Sequence, residues 1–462
     1  MISLVETIRV ERPIEECFDY IADFTSTPEW DATAFRARKL TDGPIAEGTQ
    51  FEVRCRLPLG FIDLHYSVVE HSPPRSIRLE ATSWLLDAVD TINLKSIAAG
   101  TQIDYRGDFD YRGAAAALEP ALRRGMRRMG RRALEGLARA LDDRHEPPAA
   151  GAASVVADRL LWPGLALFST LGYRRGRRRF KPMSASIRGR RMIVTGASSG
   201  LGLATARELA RRGADLVLVM RGAARARAVV EQLREETGNA AIRYELADLA
   251  HMADVDELAA RLLREDRPVD VLVNNAGALF NTWGRTDEGL EQSFALLLLS
   301  PWRLTRALLP LLRKADRARV INVVSGGMYT QKLRVDELEA SPERYAGAAA
   351  YARCKRALTV VTEEWARQWA RDGIAVNAMH PGWADTPGVR SALPGFHRLT
   401  RCILRTPQEG ADTIVWLAVA REAGAVSGKL FLDREPHTTH LLARTREDPR
   451  ERERLLAVLA QY

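Results

Sequence analysis

Cysteine is scarce in this 462-residue chain, and Cys17, Cys55, Cys354 and Cys402 are widely scattered. They show neither metal-ligand spacing nor a disulfide framework, so no metal site and a reducing compartment are expected. Lysine is scarce too: seven lysines stand among 68 basic residues. The net charge of +9 therefore rests on arginine, concentrated in "RRGMRRMGRR" (123–132) and "RRGRRRFK" (174–181). The first run falls on a predicted helix whose Leu118, Leu122, Met126, Met129, Ala133, Leu137 and Leu141 form one apolar stripe. Its arginines then make a solvated face. No nucleic-acid module accompanies them, and nucleic acid is not expected as a partner.

Long apolar runs are also missing. "LLWPGLALFSTLGY" (160–173) is too short to cross a bilayer, which takes roughly 20 residues. It fits a membrane interface, with its arginines near headgroups, and equally a helix packed on a neighbouring domain or subunit. Peripheral membrane contact through 160–181 stays open on this reading. The N-terminus, "MISLVETIRVERP", carries charge where a signal peptide needs an apolar core, so no secretion signal is expected. A cytoplasmic protein, with membrane association left open, is the expected location.

What is present divides in three. Residues 1–144 read as α+β: a strand in "SLVETIRVER", a helix in "PIEECFDYIADF", five strand-like runs, and the striped helix from about 114 to 141. That order suggests a curved antiparallel sheet wrapped on a long helix. Residues 145–185 read as a linker, opening with "HEPPAAGAAS" and carrying the apolar-basic segment. From 186 to 462, β-branched runs such as "RRMIVTG", "ADLVLVM", "VDVLVNN", "ARVINVVS" and "GIAVNAMHPG" alternate with helical segments. Alternation of that kind predicts a doubly wound parallel α/β sheet.

The chemistry-bearing motifs lie in this last part. A strand runs into "TGASSGLG" with Gly196, Gly200 and Gly202, and a helix follows. Strand, glycine turn and helix in that order suit a dinucleotide, with the pyrophosphate at the helix N-terminus. The second strand ends at Arg221, where NAD-binding folds place an acid. A guanidinium matches a 2′-phosphate, so NADP(H) is expected over NAD(H). Asp248 follows the third strand and is placed to meet adenine. In "AAAYARCKRAL", Tyr351 precedes Lys355 by one helical turn, which puts phenol and ammonium on one face.

"TGASSGLG", "NNAG" (274–277), Ser325 in "INVVSGG", Tyr351–Lys355 and "HPGWADT" (380–386) come in the order seen in short-chain dehydrogenases/reductases. About residues 187–440 resemble that family, and "SGGMYTQKL", "HPGWADTPGV" and "LPGFHR" resemble one branch of it whose substrate is poorly defined. The resemblance implies a Rossmann fold and an NADP(H)-dependent oxidoreductase. It implies Tyr351 as the proton-transferring group, with its pKa lowered by Lys355. Lys355 would also hold the nicotinamide ribose, and Ser325 the substrate oxygen. Ser198, Ser199, Leu201, Leu249, Asn275, Ala276, Gly277, Pro381, Gly382 and Thr386 would line the cofactor with the glycines, Arg221, Asp248, Tyr351 and Lys355. One departure stands out: Leu297 occupies the position of an Asn that helps hold a proton-relay water in the family.

Residues 1–144, by "VERPIEECFDYIADFTSTPEWD" and the long last helix, resemble the polyketide-cyclase and lipid-transfer superfamily of helix-grip domains. A hydrophobic-ligand cavity follows from that resemblance, and no catalytic set is evident. The combined expectation is a homo-oligomeric NADP(H)-dependent oxidoreductase whose first domain binds or delivers a hydrophobic carbonyl or alcohol. The alternatives are a weakly active or non-enzymatic NADP(H)-binding protein, for which Leu297 speaks, and a bifunctional cyclase-reductase.

Overall fold

The computed structural model describes residues 2–31, 33–57, 60–112, 119–141, 155–156, 158, 166–181, 183, 187–442 and 445–462. The linker stretch 145–154 and residues 159–165 of the apolar segment lie outside them. Contacts cluster the chain into two units, Met1–Glu146 with Lys181–Ala185, and Pro147–Phe180 with Ser186–Tyr462.

In unit 1, seven strands form one antiparallel sheet in the order β1-β7-β6-β5-β4-β3-β2. They are β1 (Ile2–Val10), β2 (Ala34–Lys39), β3 (Gln50–Leu57), β4 (Gly60–Ser72), β5 (Ser76–Thr82), β6 (Leu86–Ile97) and β7 (Gly100–Tyr111). Alternation decides which face is inner: on β6, Leu86, Ala88, Asp90, Ile92 and Leu94 are buried while the residues between them are not. α1 (Ile14–Ala22) and α2 (Glu119–Leu141) pack with it, and a short helical stretch, Phe24–Trp30, follows α1. Leu134, Leu137 and Leu141 of α2 join Phe18, Phe24, Phe51, Leu79 and Ile103 in one core. Arg127, Arg128, Arg131 and Arg132 face solvent, but Met129 of the expected stripe is exposed as well, and Leu134, outside that stripe, is buried in its place. The six-residue β2 escapes sequence reading because "AFRARK" is charged and short.

In unit 2, eight strands run in the order β10-β9-β8-β11-β12-β13-β14-β15. β8 (Arg191–Thr195), β9 (Asp215–Met220), β10 (Ile242–Leu246), β11 (Val271–Asn274), β12 (Arg319–Val323), β13 (Ala375–Met379) and β14 (Leu430–Leu432) are parallel, and β15 (Glu435–His437) returns antiparallel. The order reverses between β8 and β11, the place where ligands sit in such sheets, outside the carboxyl ends of the strands. β8, β11, β12 and β13 are buried along their whole length, the mark of a sheet covered on both faces.

The segment read as part of the linker is built into this unit. α3 (Thr170–Arg177) is capped by Ser169, whose side chain accepts from Gly172 N. Arg405 is buried and donates two bonds to Asp433, at 2.6 and 2.9 Å. The same guanidinium donates to the carbonyls of Leu167, Phe168 and Ser169. Asp158 accepts from Thr438 N at 2.9 Å and pairs with the His437 ring.

Candidate active site

β8 hands directly to the glycine turn, and α4 (Gly200–Arg211) follows. Gly196 has φ +68° and Gly200 φ +55°, the left-handed region in which glycine alone is unstrained. A Cβ on Gly202 would strike the Gly196 carbonyl, and one on Gly196 would lie 2.8 Å from Ala276 Cα. These glycines thus let the turn lie against "NNAG". Asn275 Nδ2 donates to the Thr195 carbonyl at 2.8 Å, and Thr195 Oγ1 accepts from the amides of Asn275 and Ala276. Among the described residues no side chain caps the start of α4 at Ser199. Its first N–H groups are left for an anion, which fits a pyrophosphate.

The other expected residues gather at the same end of the sheet. Thr386 Cγ2 lies 3.4 Å from where a Gly200 Cβ would be, and Leu201, Pro381 and Ala384 converge on Gly410. Arg221 is exposed just past β9, Asp248 is half-buried, and Leu249 is buried after β10. Arg225, one turn after Arg221, donates to the Ser198 carbonyl at 3.0 and 3.2 Å. It puts a second guanidinium beside the turn, a residue that sequence reading passed over although it repeats the Arg221 spacing.

Ser325 follows β12, and Tyr351 and Lys355 stand in α5 (Gly347–Gln368). The Ser325 hydroxyl stands close enough to the Tyr351 phenol to favour its phenolate. Lys355 Nζ lies 5.8 Å from the Tyr351 ring centre and donates to the Val323 carbonyl at 2.8 Å. A phenol, a hydroxyl and an ammonium therefore share one pocket wall. Their proton affinities depart from the expectation that the ammonium lowers the phenol. Burial pushes Tyr351 up to about 12, the Ser325 hydroxyl only partly opposing it, and burial pushes Lys355 down to about 8. Desolvation is the largest cause in both groups, since burial disfavours phenolate and ammonium alike.

Leu297 is fully buried. Residues Ala295–Leu299 form a widened π-turn, and Leu297 Cδ2 lies 3.0 Å from the Cβ position of Gly277, itself 3.7 Å from Lys355 Nζ. The apolar side chain thus abuts the lysine site. A small cavity beside it is lined by Thr195, Asn274, Ser300 and Lys355 among apolar residues.

Phe168 forms a wall that the sequence did not reveal. Its ring lies 4.5 Å from His380, 6.0 Å from Tyr329 and 6.0 Å from Trp383, centre to centre, and crowds Gly326 next to Ser325. Its carbonyl accepts from Trp383 N at 2.7 Å. Gly382 has φ +71°, and a Cβ there would lie 2.5 Å from Arg405 Nε and from the Phe168 carbonyl. Trp383 in turn meets Phe396 at 5.7 Å. Thus the pre-Rossmann segment, the "HPGW" loop and the second helix after it are one packed aromatic ladder.

Unit 1 holds its own polar set on the inner sheet face. Asp90, 4% exposed, accepts from the phenols of Tyr105 and Tyr66. Gly107 pairs opposite it, and a Cβ there would reach 2.6 Å from Tyr105 Oη. Burial raises Asp90 to about 6, against the pull of the two phenols. Nearby Asp31 is raised by the same cause. No expected site residue pointed here, because the partners come from three different strands.

The fold of unit 2 and its Ser325–Tyr351–Lys355 site define a Rossmann-type oxidoreductase, joined to a helix-grip unit. The short chain dehydrogenase family model matches residues 190–394, and the model for polyketide cyclase / dehydrase and lipid transport matches 1–142. Dehydrogenase/reductase SDR family member 12 of Bos taurus is 41% identical over 302 residues, 64% of this chain and 94% of that protein. The Homo sapiens counterpart is 40% identical over the same shares. Retinol dehydrogenase 13 of Homo sapiens is 35% identical over 258 residues, 54% of this chain and 78% of that protein. A solved structure of L-sorbose reductase from Gluconobacter frateurii, complexed with NADPH and L-sorbose, aligns with TM-score 0.45 and 26% identity over 55% of this chain and 98% of its own. The chain belongs to the short-chain dehydrogenase/reductase family. It is an oxidoreductase of the alcohol–carbonyl class, with an N-terminal helix-grip domain. Among the described residues no helix is long and apolar enough to cross a membrane.

Proposed function

We propose that unit 2 interconverts a hydrophobic carbonyl compound and its alcohol with NADP(H), and that unit 1 binds or delivers that compound. The observation that carries this is the set in which Tyr351 and Lys355 stand one helical turn apart with Ser325, from the end of β12, beside the phenol. When bound, NADP(H) supplies or takes up the hydride. The uncapped start of α4 and the backbone of Gly196–Gly202 would hold the pyrophosphate, and Arg221 with Arg225 the 2′-phosphate. Tyr351 Oη gives a proton to the substrate oxygen in reduction and takes it in oxidation. Ser325 Oγ orients that oxygen. Lys355 serves the ribose and, as a cation, favours the phenolate. Trp383 and Phe396, braced by Phe168, give the substrate cleft an aromatic side suited to a bulky apolar molecule. A homo-oligomer is part of this reading.

Leu297 favours a second reading, a slow enzyme or NADP(H)-binding protein, because an alkyl group cannot pass a proton to Lys355. The test is turnover of a series of aldehydes and ketones, from benzaldehyde to all-trans-retinal, with NADPH and with NADH. Reduction with NADPH that increases with substrate size supports the proposal. Tight nucleotide binding with no turnover, unrescued by Leu297→Asn, supports the second reading.

A further inference from the structure

We infer that unit 2 docks on an anionic phospholipid surface through α3 and the second helix after the "HPGW" loop, α6 (Pro394–Thr400). This rests on the proposed hydrophobic substrate and names the surface from which it enters. Two stretches of chain without acids meet here. No Asp or Glu occurs between Asp158 and Glu208, or between Asp385 and Glu409. The stretches are joined in space, since Thr170 N donates to the Ile403 carbonyl at 2.9 Å, and Arg405 grips the carbonyls of Phe168 and Ser169.

The joined surface carries exposed arginines and leucines together, with Glu435 paired to Arg179 and Asp385 to His397 at its edges. Arg174, Arg175 and Arg177 on α3 are exposed, as are Arg398 and Arg401 beside α6. Among the described residues their side chains make no ion pair or hydrogen bond. That is unusual here, because arginines elsewhere in unit 2 are heavily paired, as at Arg303–Asp256 and Arg434–Asp412. Leu171 is 64% exposed and Leu399 is 83% exposed. Exposed leucines among unpaired arginines match a bilayer interface, where the alkyl groups enter the acyl boundary and the guanidiniums meet headgroup phosphates. A nucleic acid would use the charge and leave the leucines unexplained.

Position gives the surface a purpose. α6 packs through Phe396 on Trp383, whose loop is bonded to Phe168. The basic-apolar segments and the aromatic residues beside the cleft thus belong to one packed assembly. Docking would set the cleft mouth at the lipid surface, where apolar carbonyl compounds concentrate.

The test is co-sedimentation of the full chain with vesicles of phosphatidylcholine alone and of phosphatidylcholine with phosphatidylglycerol. Binding to the anionic vesicles only, weakened by salt, is expected. Arg174→Gln/Arg175→Gln/Arg177→Gln should weaken it by roughly a hundred-fold, about five-fold for each charge. Leu171→Asp/Leu399→Asp should abolish it while NADPH binding and melting temperature hold. If the arginine variant does not melt cooperatively, Leu399→Asp alone serves. Three results overturn the inference: no sedimentation with anionic vesicles; sedimentation unchanged in these variants but lost in Arg127→Gln/Arg128→Gln/Arg131→Gln/Arg132→Gln of α2; or a face that binds duplex DNA or a second copy and not vesicles. Sedimentation needs no turnover, so vesicle binding without carbonyl reduction refutes the reductase reading alone.

Discussion

Each unit buries a phenol against a titratable group, and the two pairs are opposites. In unit 2, Tyr351 stands one turn from a lysine, at the carboxyl end of a parallel sheet, and its partner Ser325 is half-buried. In unit 1, Tyr105 and Tyr66 donate to a carboxyl in the middle of an antiparallel sheet's inner face. The first set is open at one end, so a substrate oxygen can replace a protein partner. The second is closed on itself and stays satisfied without a ligand. A cation beside a phenol favours releasing the phenolic proton, whereas a carboxylate beside it holds that proton in place. Burial of a phenol is therefore no sign of chemistry by itself; the sign and accessibility of its neighbour decide.

The largest expected effect separates the two sets directly. Tyr351→Phe should lower turnover by roughly 10²–10⁴-fold and leave NADPH affinity unchanged. Tyr105→Phe should leave turnover within a factor of a few. Parallel assays of both variants check this, and an active Tyr351→Phe enzyme would remove Tyr351 from the mechanism.

Next is the buried pair that fastens the pre-Rossmann segment. Arg405→Met leaves Asp433 buried without its cation, which costs about 3–5 kcal/mol. Burial already raises the Asp433 pKa, with Arg405 opposing. Urea unfolding of unit 2 should show this loss, and Arg405→Met/Asp433→Asn should recover part of it. Equal stability of the two variants would mean that the pair does not fasten the segment.

Asp90 gives a comparable but pH-dependent effect. Its pKa rises on folding from 3.8 to about 6. A raised carboxyl favours the fold while protonated, so that contribution is full below about pH 4 and is lost as pH climbs through about 6. The loss approaches roughly 3 kcal/mol by pH 7. Asp90→Asn should flatten the stability profile of unit 1 between pH 4 and 7. Matching slopes for wild type and variant would show that Asp90 is not raised.

The smallest effect concerns the nucleotide. Arg221→Asp should shift preference from NADPH towards NADH by about ten-fold or more, since one 2′-phosphate contact is worth roughly 1.5–3 kcal/mol. Arg225 retains a second guanidinium and limits the change. Fluorescence titration with both nucleotides reads it, and a wild-type preference for NADH would refute the argument from Arg221.

Unit 2 was far more legible than unit 1. Its turn glycines, "NNAG", Ser325 and the Tyr351–Lys355 spacing are local, because each motif sits on one strand end or one helix face. The sheet order reverses between β8 and β11 and brings those separate motifs together at one end. The fold class of unit 1 was equally readable from alternation and from the α2 stripe. Its Asp90 cluster was not, since Tyr66, Asp90 and Tyr105 meet only through cross-strand register.

By itself the sequence determined periodicities, glycine positions and the one-turn Tyr351–Lys355 spacing, and with them both fold classes; the resemblance of its motifs added Ser325 as a candidate. Only the tertiary structure decided that Phe168 braces Trp383, that Arg405 clasps a segment more than two hundred residues before it, and that Leu297 abuts the lysine site. It also reversed the expected lowering of the Tyr351 pKa. The physical reason is common to all four. Packing and desolvation depend on which groups share a volume, and residues far apart in the chain come to share one only when the sheet closes over them.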